Sequence, residues 1–238
     1  MLHLSPAITA YCCLLALLLG ACMGSFLNCA ASRRVHGRSA LRGRCRYCGA
    51  KLSSRHLWAE LSSALTFLLL LLRYDISLQM LQALLLACVL LACAFADLEG
   101  YIIPDRYVLV GVVLRITFFF LLPDLKGQIL RSALGGLAVG GGLLLVVLLY
   151  EKLRRVDAMG GGDLKLLFLT GLYLGWLENL LCLLLACLLG IVFGLATQKR
   201  RAARENAQLI PWGPSIAAAA ILTLLFGDAV TSAYLSLF

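Results

Sequence analysis

Long apolar runs alternate with short polar segments along the whole chain. A transmembrane helix needs about 20 mainly apolar residues, and the longer runs reach that length. Glycine, proline and clustered charged residues separate the runs, and these residues are typical of helix ends and loops. The pattern predicts helices at residues 7–27, 57–72, 78–96, 107–122, 129–150, 164–176, 180–197 and 212–238.

Composition assigns these helices to a membrane rather than to a soluble core. Of the 238 residues, 62% are hydrophobic and 14% are charged, and the mean hydropathy is +0.94. Soluble domains are about half apolar and about a quarter charged. We therefore predict an all-α, polytopic membrane protein with about eight transmembrane helices. Residues 1–72 would form two helices joined by a short basic loop at 28–56, and residues 73–238 would form a six-helix core.

The basic residues lie mostly on one side of this predicted topology. Of the 21 Lys and Arg residues, all but Arg73, Arg115, Lys126 and Arg131 lie in or beside the segments that follow the first, third, fifth and seventh helices. The positive-inside rule places those segments in the cytoplasm and both ends of the chain on the other side. The net charge of +9 therefore reflects topology, and nucleic acid is not expected as a partner.

Two aspartates occupy the same side of the predicted membrane. Asp97 directly follows the third apolar run, and Asp163 directly precedes the sixth. Because two predicted helices lie between them, both emerge at the cytoplasmic surface. A charged group at the mouth of a membrane helix costs free energy unless it is paired, hydrated or used in a reaction. Asp97 and Asp163 are therefore the candidates for catalysis.

Both aspartates also have a purely structural explanation. Asp163 lies between a glycine run and a predicted helix, where Asp is a favourable N-cap. Asp97 can be a boundary residue that meets water. However, Asp105, which follows Pro104, is the better candidate for the N-cap of the fourth helix. Asp97 then has no evident structural role.

Two neighbouring carboxyl groups share a proton, because both cannot ionise without a large cost. The ionised group can take a proton from water, and the protonated group can donate to a carbonyl oxygen. This chemistry hydrolyses a peptide bond without a metal or a covalent intermediate. Gly160, Gly161 and Gly162 precede Asp163, and residues without side chains let an extended backbone approach closely.

Four motifs occur in order along the chain: Gly24–Asn28 with Arg33 shortly after it, Asp97–Asp105, Gly160–Leu166 and Pro211–Pro214. Together they resemble the type IV prepilin peptidases, which are GxGD-class intramembrane aspartyl proteases. The resemblance covers nearly the whole chain and implies that Asp97 and Asp163 are the catalytic pair. The residues that would bind the substrate or form the surrounding loops are Gly160, Gly161, Gly162, Lys165, Pro104 and Asp105.

The same resemblance implies a substrate and a location. The substrate would be a prepilin or pseudopilin-like precursor with a short basic leader. It would be cut at the cytoplasmic face of the bacterial inner membrane. The lipid bilayer would be the other partner of the chain. Proteolysis would need no cofactor, whereas many members also N-methylate the new N-terminal residue with S-adenosylmethionine. The sequence makes no prediction of oligomeric state.

The first polar loop departs from the family's long form, which carries two CxxC pairs. This chain has a single pair, Cys45 and Cys48. A structural zinc ion is almost always bound by four ligands, so zinc is not expected here. Cys45 and Cys48 are no more than weak candidates for a metal site. The missing pair also bears on whether the methylating activity is retained.

Three other interpretations stay open at this point. A transporter or channel would use intramembrane carboxylates to relay protons or bind cations, but it predicts them near mid-membrane rather than at helix ends. An archaeal-type preflagellin peptidase would use the same chemistry without the first two helices and their basic loop. A structural subunit of a secretion assembly would leave the run of glycines before Asp163 unexplained.

Overall fold

The structure is a computed structural model that describes residues 6–36, 55–122, 124–155, 159–201 and 211–236. Within these ranges the chain forms helices and short connections, without strands, which confirms the all-α prediction. The helices are α1 (Pro6–His36), α2 (Arg55–Tyr74), α3 (Leu78–Gly100), α4 (Asp105–Leu121), α5 (Leu125–Arg154), α6 (Gly161–Leu174), α7 (Trp176–Arg201) and α8 (Gly213–Leu235).

Most of these helices are long and apolar enough to cross a membrane. Six candidate spans lie in the described residues, one each in α1, α2, α3, α5, α7 and α8. The other two helices are shorter, with 17 residues in α4 and 14 in α6. At 1.5 Å per residue α6 is about 21 Å long, against about 30 Å of hydrocarbon. The chain is a multi-pass membrane protein.

Several helices continue past the ends that hydropathy predicts. Helix α1 runs to His36 and so includes part of the segment predicted as a loop, and α3 runs to Gly100, beyond Asp97. Tyr101, at a left-handed φ of 53°, ends α3 and donates its N–H to the carbonyl of Asp97. Hydropathy marks where apolar residues stop, but polar residues extend a helix equally well. Asp97 therefore lies in a helical turn rather than in a loop.

Helix α6 lies in the middle of the bundle, in contact with α4, α5, α7 and α8. Its leucines Leu166, Leu167 and Leu169 are completely buried. Glycines let α5 come close to it, because a Cβ at Gly135 would collide with the carbonyl oxygen of Gly171. The contact continues along a π-helical turn of α5, Gly136–Gly141. The shortest helix is thus surrounded by other helices rather than by lipid.

The first two helices pack on each other and on α3. Gly24 of α1 lies so close to α2 that a Cβ would come within 2.6 Å of the Ser63 hydroxyl. At the end of the bundle that contains Asp97, Ser32 donates to Glu99 across 2.6 Å. Asn28 lies 2.6 Å from Nδ1 of His56. These polar contacts tie α1, α2 and α3 together beside the candidate site.

Candidate active site

Asp97 is buried at the end of α3, with 5% of its surface exposed. Its Oδ2 accepts a hydrogen bond of 2.8 Å from the backbone N–H of Gly213. Gly213 begins α8, which has 23 residues. Unpaired N–H groups and the helix dipole stabilise negative charge at such an N-terminus. The fold therefore gives the Asp97 carboxylate a partner that favours its ionised form.

The Pro211–Pro214 motif builds this contact. A Cβ at Gly213 would lie 2.8 Å from Oδ2 of Asp97, so a larger residue would push the carboxylate away. Trp212 fixes the turn, because its indole N–H donates to the carbonyl of Ala186 in α7 at 3.1 Å. Pro214 lies in the first turn of α8, where a missing N–H is tolerated. In the sequence this motif indicates only a family resemblance, and no local signal reveals its contact with Asp97.

Asp163 lies in the first turn of α6 and is half-buried. The N-cap of this helix is Gly160, and no side chain caps it, so Asp163 does not have the capping role considered above. Asp163 lies outside the six candidate spans. Burial raises its pKa to about 7, and the negative charge of Asp97 adds to the rise. The fold thus brings together two carboxyl groups that interact electrostatically.

The glycines before Asp163 have different surroundings. Gly160 is extended, whereas Gly161 and Gly162 are the first residues of α6 rather than part of a loop. A Cβ at Gly161 would meet no atom of the described residues within 4 Å, but a Cβ at Gly162 would lie 3.0 Å from Ile103. One glycine borders open space, and the other lets the α3–α4 connection pack on α6.

Asp105 does not cap α4, and that prediction is wrong. The N-cap is Pro104, which is extended and makes no side-chain capping bond. Asp105 is the first helical residue, and its carboxylate pairs with Nζ of Lys165 at 2.6 Å. Lys165 follows Asp163 by two positions in α6. Asp105 therefore joins the start of α4 to the start of α6 through an ion pair instead of capping α4. Both side chains are more than half exposed.

The weak metal candidates Cys45 and Cys48 lie outside the described residues. Within the described ranges, no group of three or more His, Cys, Asp and Glu side chains is arranged to hold a metal ion. Fold and site together define a multi-pass helical membrane protein with two interacting aspartates, one on α3 and one on α6, at the same end of the bundle.

Comparison with known proteins identifies the family. The model of the type IV leader peptidase family matches residues 84–195, and the model of the bacterial peptidase A24 N-terminal domain matches residues 35–74. The chain belongs to the type IV leader peptidase family. This membership favours a peptidase over the transporter or channel weighed above.

Several curated relatives carry the name prepilin leader peptidase/N-methyltransferase. The protein of Aeromonas salmonicida is 35% identical over 207 residues, which cover 82% of this chain and 66% of the relative. That of Aeromonas hydrophila is 35% identical over 209 residues, covering 83% and 67%. That of Pseudomonas aeruginosa is 32% identical over 198 residues, covering 82% and 67%. The chain thus spans about two thirds of the length of these relatives, and no solved structure matches it.

Proposed function

We propose that this chain is a membrane endopeptidase that removes the basic leader from prepilin or pseudopilin-like precursors. The proposal is supported by the contact between the α3–α4 connection and the start of α6, where a Cβ at Gly162 would lie 3.0 Å from Ile103. At this end of the bundle the negative charge of Asp97 adds to the rise in the pKa of Asp163. The names of the relatives support the substrate class. No cofactor takes part in the cleavage.

The different surroundings of the two acids suggest different roles. Asp97 accepts an N–H at a helix N-terminus, so we assign it the ionised form and the role of general base. Asp163 has a raised pKa of about 7, so we assign it the protonated form and the role of general acid. Asp97 takes a proton from water as the water oxygen attacks the scissile carbonyl carbon. Asp163 donates its proton to the carbonyl oxygen. Asp97 then gives the proton it took from water to the amide nitrogen, the C–N bond breaks, and Asp163 takes a proton back from a hydroxyl of the tetrahedral intermediate. The leader leaves with the new carboxyl group, and the mature chain keeps the new amine.

The substrate would approach along the open side of the glycine run. Among the described residues, no atom lies within 4 Å of a Cβ at Gly161, which leaves room for an extended peptide beside Asp163. Asp105 is exposed, and within the described part of the chain its ion pair is with Lys165 at the surface. A basic residue of the leader can replace Lys165 as the partner of Asp105. We therefore assign Asp105 to leader recognition, and Pro104 and Gly160 to the shape of the site.

The proposal also covers membrane topology. We propose that α4 and α6 complete eight crossings inside the bundle, and that residues 73–238 form the peptidase core. The positive-inside rule then places Asp97 and Asp163 at the cytoplasmic face of the inner membrane. A reporter fused after Arg44 should be active in the cytoplasm, and periplasmic labelling there would reverse the orientation.

N-methylation of the mature N-terminus is a second candidate activity, because the names of the relatives include N-methyltransferase. It would consume S-adenosylmethionine and transfer its methyl group to the new amine. Incubating the chain with prepilin and S-adenosylmethionine should give a mature N-terminus that is heavier by one methyl group. An unmodified N-terminus after complete cleavage would restrict the chain to proteolysis.

Cleavage of purified prepilin by full-length variants tests the aspartate pair. Asp97→Asn and Asp163→Asn each remove one proton-transfer group, and each should lower the rate by at least about 100-fold. Asp124→Asn is the matched control, since Asp124 caps α5 through the Gly127 N–H and Asn caps helices equally well. Normal cleavage by either site variant in a folded, membrane-inserted protein would refute the pair.

A further inference from the structure

A polar cavity of about 330 Å³ lies at the end of the bundle opposite the aspartate pair. Gln79 and Gln82, at the start of α3, line it, whereas Asp97 lies near the end of the same helix. The rise of an α-helix separates the two places by about 22–27 Å. Ligand pockets typically measure about 300–1,000 Å³, so this cavity has the size of a small binding site.

The carboxylates that line the cavity all have partners of their own. Glu178 accepts from Arg131 at 2.6 Å. Asp228 pairs with Arg73 at 3.0 Å. Asp124 is exposed and accepts the backbone N–H of Gly127 at 3.2 Å. These acids therefore neutralise Arg131 and Arg73 or cap a helix.

Arg115 is the cation of this cavity that lacks an acidic partner. It lies within α4 with 5% of its surface exposed, and it lines the cavity. Its Nε and Nη2 donate to the hydroxyl of Ser132 at 3.1 and 2.9 Å. The Ser132 proton goes to the carbonyl of Leu172. Among the residues that the structure describes, no carboxylate forms an ion pair with Arg115.

The guanidinium is held in a fixed orientation with donors to spare. It lies 4.8 Å from the ring centroid of Phe119 and 5.4 Å from that of Tyr173. A guanidinium has five N–H groups, and Ser132 receives two. An unpaired charge buried inside a membrane protein is costly. The remaining N–H groups of Arg115 are therefore available to bind an anion. The planar guanidinium can donate two parallel hydrogen bonds to phosphate oxygens.

We propose that this cavity binds the phosphate group of a phospholipid, with Arg115 as the principal ligand. The cavity belongs to a membrane-embedded bundle, and its rim includes the exposed residues Gln79 and Asp124. The leucines on either side of Asp124 in sequence, Leu121 and Leu125, are exposed and can contact acyl chains. The lipid would come from the leaflet opposite the aspartate pair. This site is independent of peptide cleavage.

Lipid retention tests the proposal. The full chain is purified in detergent, stripped of lipid and titrated with phosphatidylglycerol in mixed micelles, and bound lipid is counted by native mass spectrometry. The wild type should hold one lipid tightly, and Arg115→Gln should bind it at least about tenfold more weakly. Lys126→Gln is the matched control, since Lys126 is exposed at the same end but outside the cavity lining. Equal binding by wild type and Arg115→Gln would overturn the proposal.

A second variant and a competitor complete the test. Gln82→Trp fills the cavity from α3 while leaving Arg115 unchanged. This variant therefore tests lipid binding even if Arg115→Gln does not fold. Loss of the tight lipid in Gln82→Trp supports the proposal, and retention overturns it. Inorganic phosphate at millimolar concentration distinguishes the two possible sources of a bound phosphate group, a phospholipid and the free ion. If it raises the unfolding temperature as lipid does and displaces the lipid, the site takes free phosphate and the lipid assignment is wrong.

Discussion

Gly213→Ala is the sharpest test of the environment assigned to Asp97. The added Cβ would lie 2.8 Å from Oδ2 and 3.1 Å from Cβ of Asp97. Trp212 holds the start of α8 through its bond to Ala186, so the carboxylate must turn away. It then loses the 2.8 Å hydrogen bond from the Gly213 N–H. A hydrogen bond to a charged group contributes about 1.5–3 kcal/mol.

The lost hydrogen bond shifts the equilibrium of Asp97 from the ionised toward the protonated form, which cannot take a proton from water. Each 1.36 kcal/mol is tenfold, so the shift is roughly 10- to 100-fold. We expect kcat for leader cleavage to fall by that factor with little change in KM, because Gly213 positions the base and does not contact the leader. The assay is steady-state cleavage of purified prepilin in detergent micelles, with thermal unfolding measured in parallel.

The matched control is Gly142→Ala. Gly142 is also helical, and a Cβ there would meet no atom within 4 Å. This variant should cleave and unfold like the wild type. If Gly213→Ala also keeps the wild-type kcat, the hydrogen bond has no part in the reaction, and the role assigned to Asp97 is wrong.

Two further predictions concern the acid and the leader. If Asp163 must be protonated and its pKa is about 7, kcat should be highest below that value and fall as pH rises through it; a flat profile from pH 5 to 9 would contradict the assignment. Asp105→Asn should raise KM for a basic leader about two- to fivefold without changing kcat, since surface ion pairs contribute about 0.2–1 kcal/mol. Lys165→Gln, which removes the competing cation, should not raise KM, and a fall in kcat with Asp105→Asn would refute the leader contact.

The apolar pattern was sufficient to predict the helical class and most helix positions, because each membrane helix is encoded locally. It also led to the prediction that Asp97 and Asp163 lie on the same side of the membrane, since that follows from the number of intervening helices. The hydrogen bond between Asp97 and Gly213 joins residues 116 positions apart. No local pattern specifies such a contact. The pairing of Asp105 with Lys165, rather than a cap on α4, likewise depends on how α4 and α6 meet.

Helix α6 is short, and it runs from the aspartate pair to the polar cavity. Asp163 lies in its first turn, and at its other end the carbonyl of Leu174 accepts bonds from Arg131 at 3.3 and 3.1 Å. At 1.5 Å per residue these polar groups are only about 17 Å apart, roughly half of the hydrocarbon thickness. A helix this short would leave polar ends in lipid if it stood alone. Surrounded by other helices, it needs to cover only the distance between the aspartate pair and the arginine-lined cavity. Hydropathy reports the apolar residues of α6 but not the helices that surround it. The sequence therefore predicted a membrane span here but could not explain why this span is short.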